Sequence, residues 1–355
     1  MQHALRLAAR GLGHTWPNPS VGAIVVKDGA IAGTGVTARG GRPHAESQAL
    51  EQAGDNAKGA TLYVSLEPCA HQGKTPACTQ GIIASGIRRV VAGCTDPNPL
   101  VSGKGFAQLR AAGIEVEEGV CEPESLLLNE GFFSVHQRGR PFVTLKVATS
   151  LDGKIAAGGG ESKWITGEES RFRVHALRAS HDAVLTGIGT VLYDDPLLTC
   201  RLSGRAEDSP QRAVMDSDLR IPLDARLLPA WIFTSEKARD RETPKIAALE
   251  KAGSKVFAVP QDAARLSLPD MLETLTAQGI TRLLVEAGSA LASELMRHDL
   301  VDRLYWFRAP LVIGDKGIPA LWGQDGTRLA DLPRLSLRGT ERWGADRLEI
   351  YDCAE

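Results

Sequence analysis

The sequence predicts two α/β domains in succession, the first a mixed sheet with helices on both faces, the second a doubly wound sheet. Three observations lead there. Near the start a strong hairpin turn, Asp28-Gly29, joins two short apolar runs, and βα units follow it. From Phe142 onward strand and helix patterns alternate again, the arrangement in which ligands bind beyond the C-terminal ends of the strands. Between the two stretches lies Arg138-Gly139-Arg140-Pro141, a short basic Gly/Pro segment, which places the domains at 1–138 and 139–355. A chain of 355 residues suits two domains, each able to bury a core.

In the first half helical spacing covers Ala4 to Arg10, and the hairpin pairs Val21–Val26 with Ile31–Val36. A helix over Ala45 to Ala53 stops at Gly54. Then come strand Thr61 to Leu66, helix Thr79 to Ser85, strand Arg89 to Gly93, helix Gly105 to Ala112, strand Ile114 to Glu118 and helix Glu122 to Gln137. The second half opens with strand Phe142 to Ala148, a glycine-rich turn at Ala156 to Gly160, helix Glu168 to Ala179 and strand Ala183 to Thr186. Further strands are expected at Arg212–Met215, Ala230–Thr234, Lys255–Val259, Arg282–Glu286, Arg303–Ala309 and Arg347–Asp352. Helices at Lys245–Ala252, Leu268–Gln278 and Ala290–Arg297 separate several of them.

A formal net charge of −2 argues against a broad nucleic-acid-binding surface. No run reaches the roughly eighteen apolar residues of a membrane span, and no charged-then-apolar leader opens the chain, so a cytoplasmic protein without membrane association is expected. Six cysteines are too few for a disulfide framework. Cys94, Cys121, Cys200 and Cys353 sit in or beside apolar runs and read as packing residues in a reducing compartment.

Chemistry concentrates at His44-Ala45-Glu46, Pro68-Cys69 and Cys78. One imidazole nitrogen and two thiolates hold a zinc ion and leave its fourth position to water, as a catalytic site requires. Side chains two apart on a continuous helix point to opposite sides. His44 and Glu46 therefore share a pocket only where the helix is beginning, and Gly40-Gly41-Arg42-Pro43 supplies that break. Cys78 opens a helix, where a thiol ionises more easily. Glu46 has the place of the proton-shuttling carboxylate of zinc deaminases, which is not a ligand. Zinc lowers the pKa of bound water to about 7, so the constellation predicts hydrolytic deamination of an aromatic ring carbon. The deaminase signature has P-C-x-x-C, whereas eight residues, Ala70 to Ala77, separate the thiols here. The competing reading, a closed structural zinc module, needs a fourth protein ligand, for which His71 is the nearby candidate.

With that longer insert, the chain resembles the bifunctional deaminase/reductase family of riboflavin biosynthesis. The resemblance rests on Thr15-Trp16-Pro17-Asn18-Pro19-Ser20-Val21-Gly22, His44-Ala45-Glu46, the run from Glu67-Pro68-Cys69 through Gly73-Lys74-Thr75-Pro76 to Cys78, and Asp96-Pro97-Asn98-Pro99. In the second half it rests on Lys146 to Lys154, Ser162-Lys163-Trp164-Ile165-Thr166 and Thr190 to Thr199. It covers nearly the whole chain and weakens between Ser203 and Gly279. It implies a cytidine-deaminase-like α/β/α sandwich followed by a dihydrofolate-reductase-like domain. The family's substrate is 2,5-diamino-6-ribosylamino-4(3H)-pyrimidinone 5′-phosphate, deaminated on the ring and then reduced at the ribosyl group by NADPH. Met1 lies almost inside the first helix, where the family commonly has several preceding residues, so either a start upstream or a trimmed edge is expected.

Carried over residue by residue, the resemblance places Asn18 on the pyrimidine, and Lys74, Asp96 and Asn98 on the ribose phosphate. An Asn amide suits a base edge and a Lys suits a phosphate. For the second site it implies NADPH at Ala148, Trp164, Thr190, Asp194 and the helix start at Gly288, Ser289 and Ala290. Substrate contacts fall on Ser162, Arg178, Leu198, Arg201 and Glu286, with Arg178 and Arg201 suited to clamp a phosphorylated sugar. Lys146 and Glu286 are candidates for handling the proton that accompanies hydride transfer. On local pattern alone Thr186-Gly187-Ile188-Gly189-Thr190 and Glu286-Ala287-Gly288-Ser289-Ala290 read as tight turns, because neither is a full G-x-G-x-x-G. A homo-oligomer is the expected assembly, although no residue pattern specifies it.

Overall fold

The computed structural model describes residues 1–71, 76–99, 101–262, 265–323, 328 and 332–353. The chain divides into two compact units, Met1–Arg140 and Pro141–Glu355. Among the described residues no helix is long and apolar enough to cross a membrane. All six cysteines are free; Cys94 and Cys200 are buried, and Cys121 and Cys353 half-buried.

The first unit runs α1 (Gln2–Ala9), β1 (Gly22–Lys27), β2 (Ala30–Val36), α2 (Ala45–Ala53), β3 (Thr61–Val64), α3 (Cys78–Ala84), β4 (Arg89–Ala92), α4 (Lys104–Ala111), β5 (Glu115–Glu117), α5 (Glu122–Leu128) and α6 (Glu130–Arg138). Its sheet has the order β2-β1-β3-β4-β5, with β1 antiparallel to both neighbours and the other pairs parallel. Asp28 and Gly29 both take positive φ, 48° and 79°, as the two-residue turn between twisted strands demands.

Small residues bring helix and sheet backbones together. A Cβ on Gly22 would strike the Ala4 carbonyl of α1, and a Cβ on Gly35 the Ala45 carbonyl of α2. Gly35 lies opposite Ala23, the neighbour of Gly22. Successive strand residues face opposite ways, so α1 and α2 cover opposite faces of the sheet. Ala45, Ala49, Ala53, Leu62, Val90 and Phe106 belong to the core of this unit.

The single helix expected over Glu122 to Gln137 is instead two. Asn129 leaves helical geometry at φ −106°, ψ 24°. Its buried amide accepts from the Ser20 amide at 2.9 Å and donates to the Ser20 carbonyl at 3.1 Å. That pairing reaches 109 residues back along the chain and fixes the segment carrying Asn18. Apolar periodicity cannot reveal such a break.

The second unit runs β6 (Phe142–Thr149), β7 (Lys154–Ala156), α7 (Glu168–Ala179), β8 (Ala183–Gly187), α8 (Ile188–Asp194), β9 (Gln211–Met215), β10 (Trp231–Ser235), α9 (Glu236–Arg241) and α10 (Thr243–Lys251). It continues with β11 (Lys255–Val259), β12 (Gln261–Asp262), β13 (Arg265–Leu266), α11 (Leu268–Ala277), β14 (Arg282–Val285), α12 (Ser289–Arg297), β15 (Arg303–Arg308), β16 (Ile318–Pro319), β17 (Leu335–Trp343) and β18 (Asp346–Cys353). The main sheet has the order β11-β10-β9-β8-β14-β6-β15-β18-β17. From β11 to β15 every pairing is parallel, and the β17–β18 hairpin adds two antiparallel strands at the edge. Asp346 of β18 accepts from the Gly167 amide at 2.7 Å and the Ser170 hydroxyl at 2.6 Å, capping the start of α7. Two short pairs, β12–β13 and β7–β16, stand apart from the main sheet.

Candidate functional site

In the first unit, Gly40 and Gly41 turn the chain with φ of 75° and 86°. His44 follows in extended geometry as the cap residue of α2. Cys69 stands in the loop after β3, and Cys78 is the first residue of α3. The ligand atoms of His44, Cys69 and Cys78 all lie within 4.8 Å of one another. His44 Nδ1 is 3.2 Å from Cys78 Sγ and 3.7 Å from Cys69 Sγ. Around a tetrahedral zinc with Zn–S about 2.3 Å and Zn–N about 2.05 Å, a sulfur and a nitrogen ligand stand about 3.6 Å apart. The three donors fit that ion.

The Cys69 thiol is pulled down to about 4, first by the hydrogen bond from the Cys78 thiol and then by His44. Cys78 is pushed up by the same pairing and by burial. One sulfur therefore carries the charge when the two share a proton, and a cation is what allows both to be thiolates. Glu46, 4% exposed, points into this cluster from the first turn of α2. Burial, followed by the charge on Cys69, pushes its carboxyl up. His71 is exposed and does not belong to the three-donor group found among the described residues.

Asn18 donates to the Gly41 carbonyl at 3.0 Å, in the turn that delivers His44. Asp96 is buried and accepts from the Asn98 amide at 2.8 Å; burial pushes its carboxyl up to about 6. Lys74 lies outside the described residues. Glu67 stands in the Glu67-Pro68-Cys69 motif without an assigned role, yet its buried carboxylate gathers four backbone amides, those of Asp96, Gly103, Gly105 and Phe106.

In the second unit, a cleft of about 1020 Å³ collects every residue that the sequence assigned to the second site. Lys146 and Ala148 come from β6, Arg178 from the end of α7, and Thr190 and Asp194 from α8. Ser162 and Trp164 come from the loop before α7, Leu198 and Arg201 from the chain beyond α8, and Glu286 from the end of β14. The two glycine stretches are more than turns: Gly187 caps α8 and Gly288 caps α12, whose first residues are Ser289 and Ala290. Unbonded amides at such helix starts suit phosphate, and the volume suits a dinucleotide with a sugar phosphate. The cleft fits NADPH in size and in backbone chemistry.

Within it, Arg178 donates twice to Glu286, Nε to Oε1 at 2.6 Å and Nη2 to Oε2 at 3.0 Å. Lys146 Nζ stands 3.7 Å from Oε2 of the same carboxylate. Burial alone would raise Glu286, but the charges of Arg178 and Lys146 outweigh it and hold the carboxyl at about 2. Burial also lowers Lys146, against the pull of Glu286. At the mouth, Lys163 pairs with Asp194 at 3.4 Å, and the Arg171 guanidinium lies 4.6 Å over the Trp164 ring. His175, which no motif marked, also lines the cleft, and its ring contacts Arg201 Nε at 3.4 Å.

Residues 141–348 match the RibD C-terminal domain family. The chain belongs to the RibD family. Residues 1–94, with all three zinc-ligand candidates among them, match the cytidine and deoxycytidylate deaminase zinc-binding region. The riboflavin biosynthesis protein RibD of Aquifex aeolicus (strain VF5) is 46% identical over 315 residues, 89% of this chain and 87% of that one. Its Escherichia coli (strain K12) counterpart is 40% identical over 363 residues, covering 98% of this chain and 96% of its own. Acinetobacter baumannii RibD, form 1, superposes with a TM-score of 0.90 at 38% identity, covering 100% of this chain and 98% of that one. The Thermotoga maritima structure described as a diaminohydroxyphosphoribosylaminopyrimidine deaminase/5-amino-6-(5-phosphoribosylamino)uracil reductase gives 0.87 at 39% identity, covering 100% and 97%. The RibD fold, a cytidine-deaminase-like domain followed by a dihydrofolate-reductase-like one, is thus the fold of this chain.

Proposed function

We propose that residues 1–138 form a zinc-dependent pyrimidine deaminase and residues 139–355 an NADPH-dependent reductase, acting in succession. The chain is a bifunctional deaminase and reductase of riboflavin biosynthesis, as its family is. Its substrate is 2,5-diamino-6-ribosylamino-4(3H)-pyrimidinone 5′-phosphate and its final product 5-amino-6-(5-phosphoribitylamino)uracil. The observation that carries the reading is the cluster of His44, Cys69 and Cys78 with Glu46 buried against it.

His44, Cys69 and Cys78 would hold a zinc ion, which would supply water acidic enough to attack the ring carbon that bears the amino group. Glu46 accepts one proton from the attacking water and delivers it to a ring nitrogen, then accepts the second from the hydroxyl now on the ring carbon and delivers it to the departing amino group, which leaves as ammonia. The ring gains a C–O bond and loses a C–N bond. Asn18 meets the base edge; Asp96 and Asn98, with Lys74, hold the ribose phosphate.

The second-unit cleft would hold NADPH, whose chemistry would be hydride donation to ribose C1 of the opened ribosylamine. Ala148, Trp164, Thr190, Asp194 and the α12 start of Gly288, Ser289 and Ala290 seat the cofactor. Ser162, Arg178, Leu198, Arg201 and Glu286 seat the sugar phosphate, and Lys146 with Glu286 handles the accompanying proton. The working assembly is a cytoplasmic homo-oligomer free of membrane and nucleic acid, which light scattering of the purified chain tests.

The deciding experiment offers the diaminopyrimidine nucleotide with NADPH and identifies the products by mass. Wild type should yield the ribityl compound, and Glu46→Gln should leave the ring amino group in place. Ammonia release by Glu46→Gln at the wild-type rate would remove the basis for this assignment.

A further inference from the structure

Glu67 lies between a zinc ligand and a substrate loop, and the chemistry above leaves it unused. It precedes Cys69 by one intervening residue, Pro68, and is 3% exposed. Its own amide donates to the Cys94 carbonyl at 2.9 Å, so its backbone is fixed. A carboxylate this deep is tolerated only with strong compensation. Four backbone amides supply it: Oε2 accepts from Asp96 at 3.1 Å and Gly103 at 2.9 Å, and Oε1 from Gly105 at 2.9 Å and Phe106 at 3.4 Å.

All four donors belong to the stretch that carries Asp96 and Asn98 and opens α4. Gly105 and Phe106 are in the first turn of α4, whose amides have no partner within the helix. The contact is close enough that a Cβ on Gly105 would meet both the Pro68 carbonyl and the Glu67 carboxylate. Further along α4, Gln108 accepts from Thr79 Oγ1 at 2.7 Å and donates to the Ala70 carbonyl at 3.3 Å. The substrate loop is thereby fastened on both sides of Cys69.

We propose that Glu67 is a positioning residue for deamination. It holds the Asp96 backbone at a fixed distance from Cys69, so that the groups binding the ribose phosphate and the metal behave as one rigid piece. This rests on the reading of the first unit as the deaminase, with Asp96 and Asn98 as substrate contacts. Only a carboxylate serves, because each of its oxygens faces two donors. A glutamine would turn an NH2 group toward one pair of them, releasing half of the loop while keeping shape and thiolates.

The test is steady-state ammonia release by full-length Glu67→Gln on the pyrimidine nucleotide, with zinc content measured on the same preparation. One zinc per chain is expected, with KM raised about tenfold or more and kcat within about threefold of wild type. Zinc retained with KM within about twofold of wild type overturns the proposal. So does loss of zinc with collapse of both constants, which a mere structural prop would give. Should that variant fail to fold, Gly105→Ala reaches the same contact from the loop side. The same rise in KM is expected there, and an unchanged KM is equally fatal. A wild type that releases no ammonia sinks the deaminase reading and the proposal with it; an active wild type with unchanged KM in both variants sinks the proposal alone.

Discussion

Arg178 clasps Glu286 through two hydrogen bonds, at 2.6 and 3.0 Å, in the cleft of the second unit. The paired guanidinium also donates from Nη1 to the Thr199 carbonyl at 3.0 Å, tying the end of α7 to the segment between Leu198 and Arg201. Arginine's planar fork permits this and lysine's ammonium does not. Arg178→Lys should therefore lower NADPH oxidation with the deaminated nucleotide about 10²-fold, the scale of a misplaced positioning contact. Glu286→Gln leaves a buried cation without its countercharge, and the unfolding free energy of the second unit should fall by about 3–5 kcal/mol. Denaturant titration measures the loss. Ammonia release by the same preparations should stay at the wild-type level, and a parallel fall would show the damage to be general.

Metal removal separates the two activities. Chelation should abolish ammonia release while NADPH oxidation, assayed on the deaminated nucleotide supplied directly, continues unchanged. Added zinc should restore the first activity, and Cys69→Ser should prevent that restoration because a hydroxyl is a poor substitute for thiolate at zinc. Ammonia release that survives exhaustive chelation would be incompatible with the three-donor site.

The zinc site was legible because its chemistry needs particular residue types at the ends of regular elements. His44, Glu46, Cys69 and Cys78 can be found without knowing the sheet order. The cleft was legible only through the family's motifs: Ala148, Leu198 and Thr190 carry no chemical signature of their own, and topology brings them together from β6, the chain beyond α8, and α8. What stayed hidden has a common cause. Asn129, Glu67 and Asp346 each bond to backbone groups far away in sequence, which neither periodicity nor composition records. Strand β17 escaped for a different reason, since its side chains are mostly exposed or half-buried and give no apolar alternation.

Close approach of α2 to β2 gives a test of how the sheet aims the site. A Cβ on Gly35 would collide with the carbonyl of Ala45, the residue between His44 and Glu46. Gly35→Ala should push the start of α2 away from the sheet. Overpacking of this kind costs about 1–3 kcal/mol, and the displacement should also weaken zinc retention during dialysis against a chelator. Gly159→Ala, with nothing within 4 Å of its new Cβ, is the matched control and should be neutral in both assays. Wild-type stability and zinc retention in Gly35→Ala would refute the steric argument.

A buried histidine sets an acid limit on the second unit. His181 is 2% exposed; its Nδ1 lies 2.7 Å from the Leu177 carbonyl and its Nε2 3.0 Å from Thr144 Oγ1. The carbonyl requires a donor, so Nδ1 carries the proton and Nε2 accepts from the threonine hydroxyl. Burial, then the positive charges of Arg282, Arg303 and Arg173, hold its pKa at about 3, against 6.5 when unperturbed. Between those values the unfolded chain binds the proton and the folded one does not, so stability falls as pH drops from 6.5 toward 3. One such proton is worth about 1.4 kcal/mol per pH unit inside that window. His181→Gln keeps a donor and an acceptor but cannot titrate. Urea unfolding of wild type and variant at a series of pH values should show the wild type losing stability more steeply below pH 6.5 and the two slopes converging above it. Equal slopes throughout the acid range would mean that His181 is already charged in the folded unit.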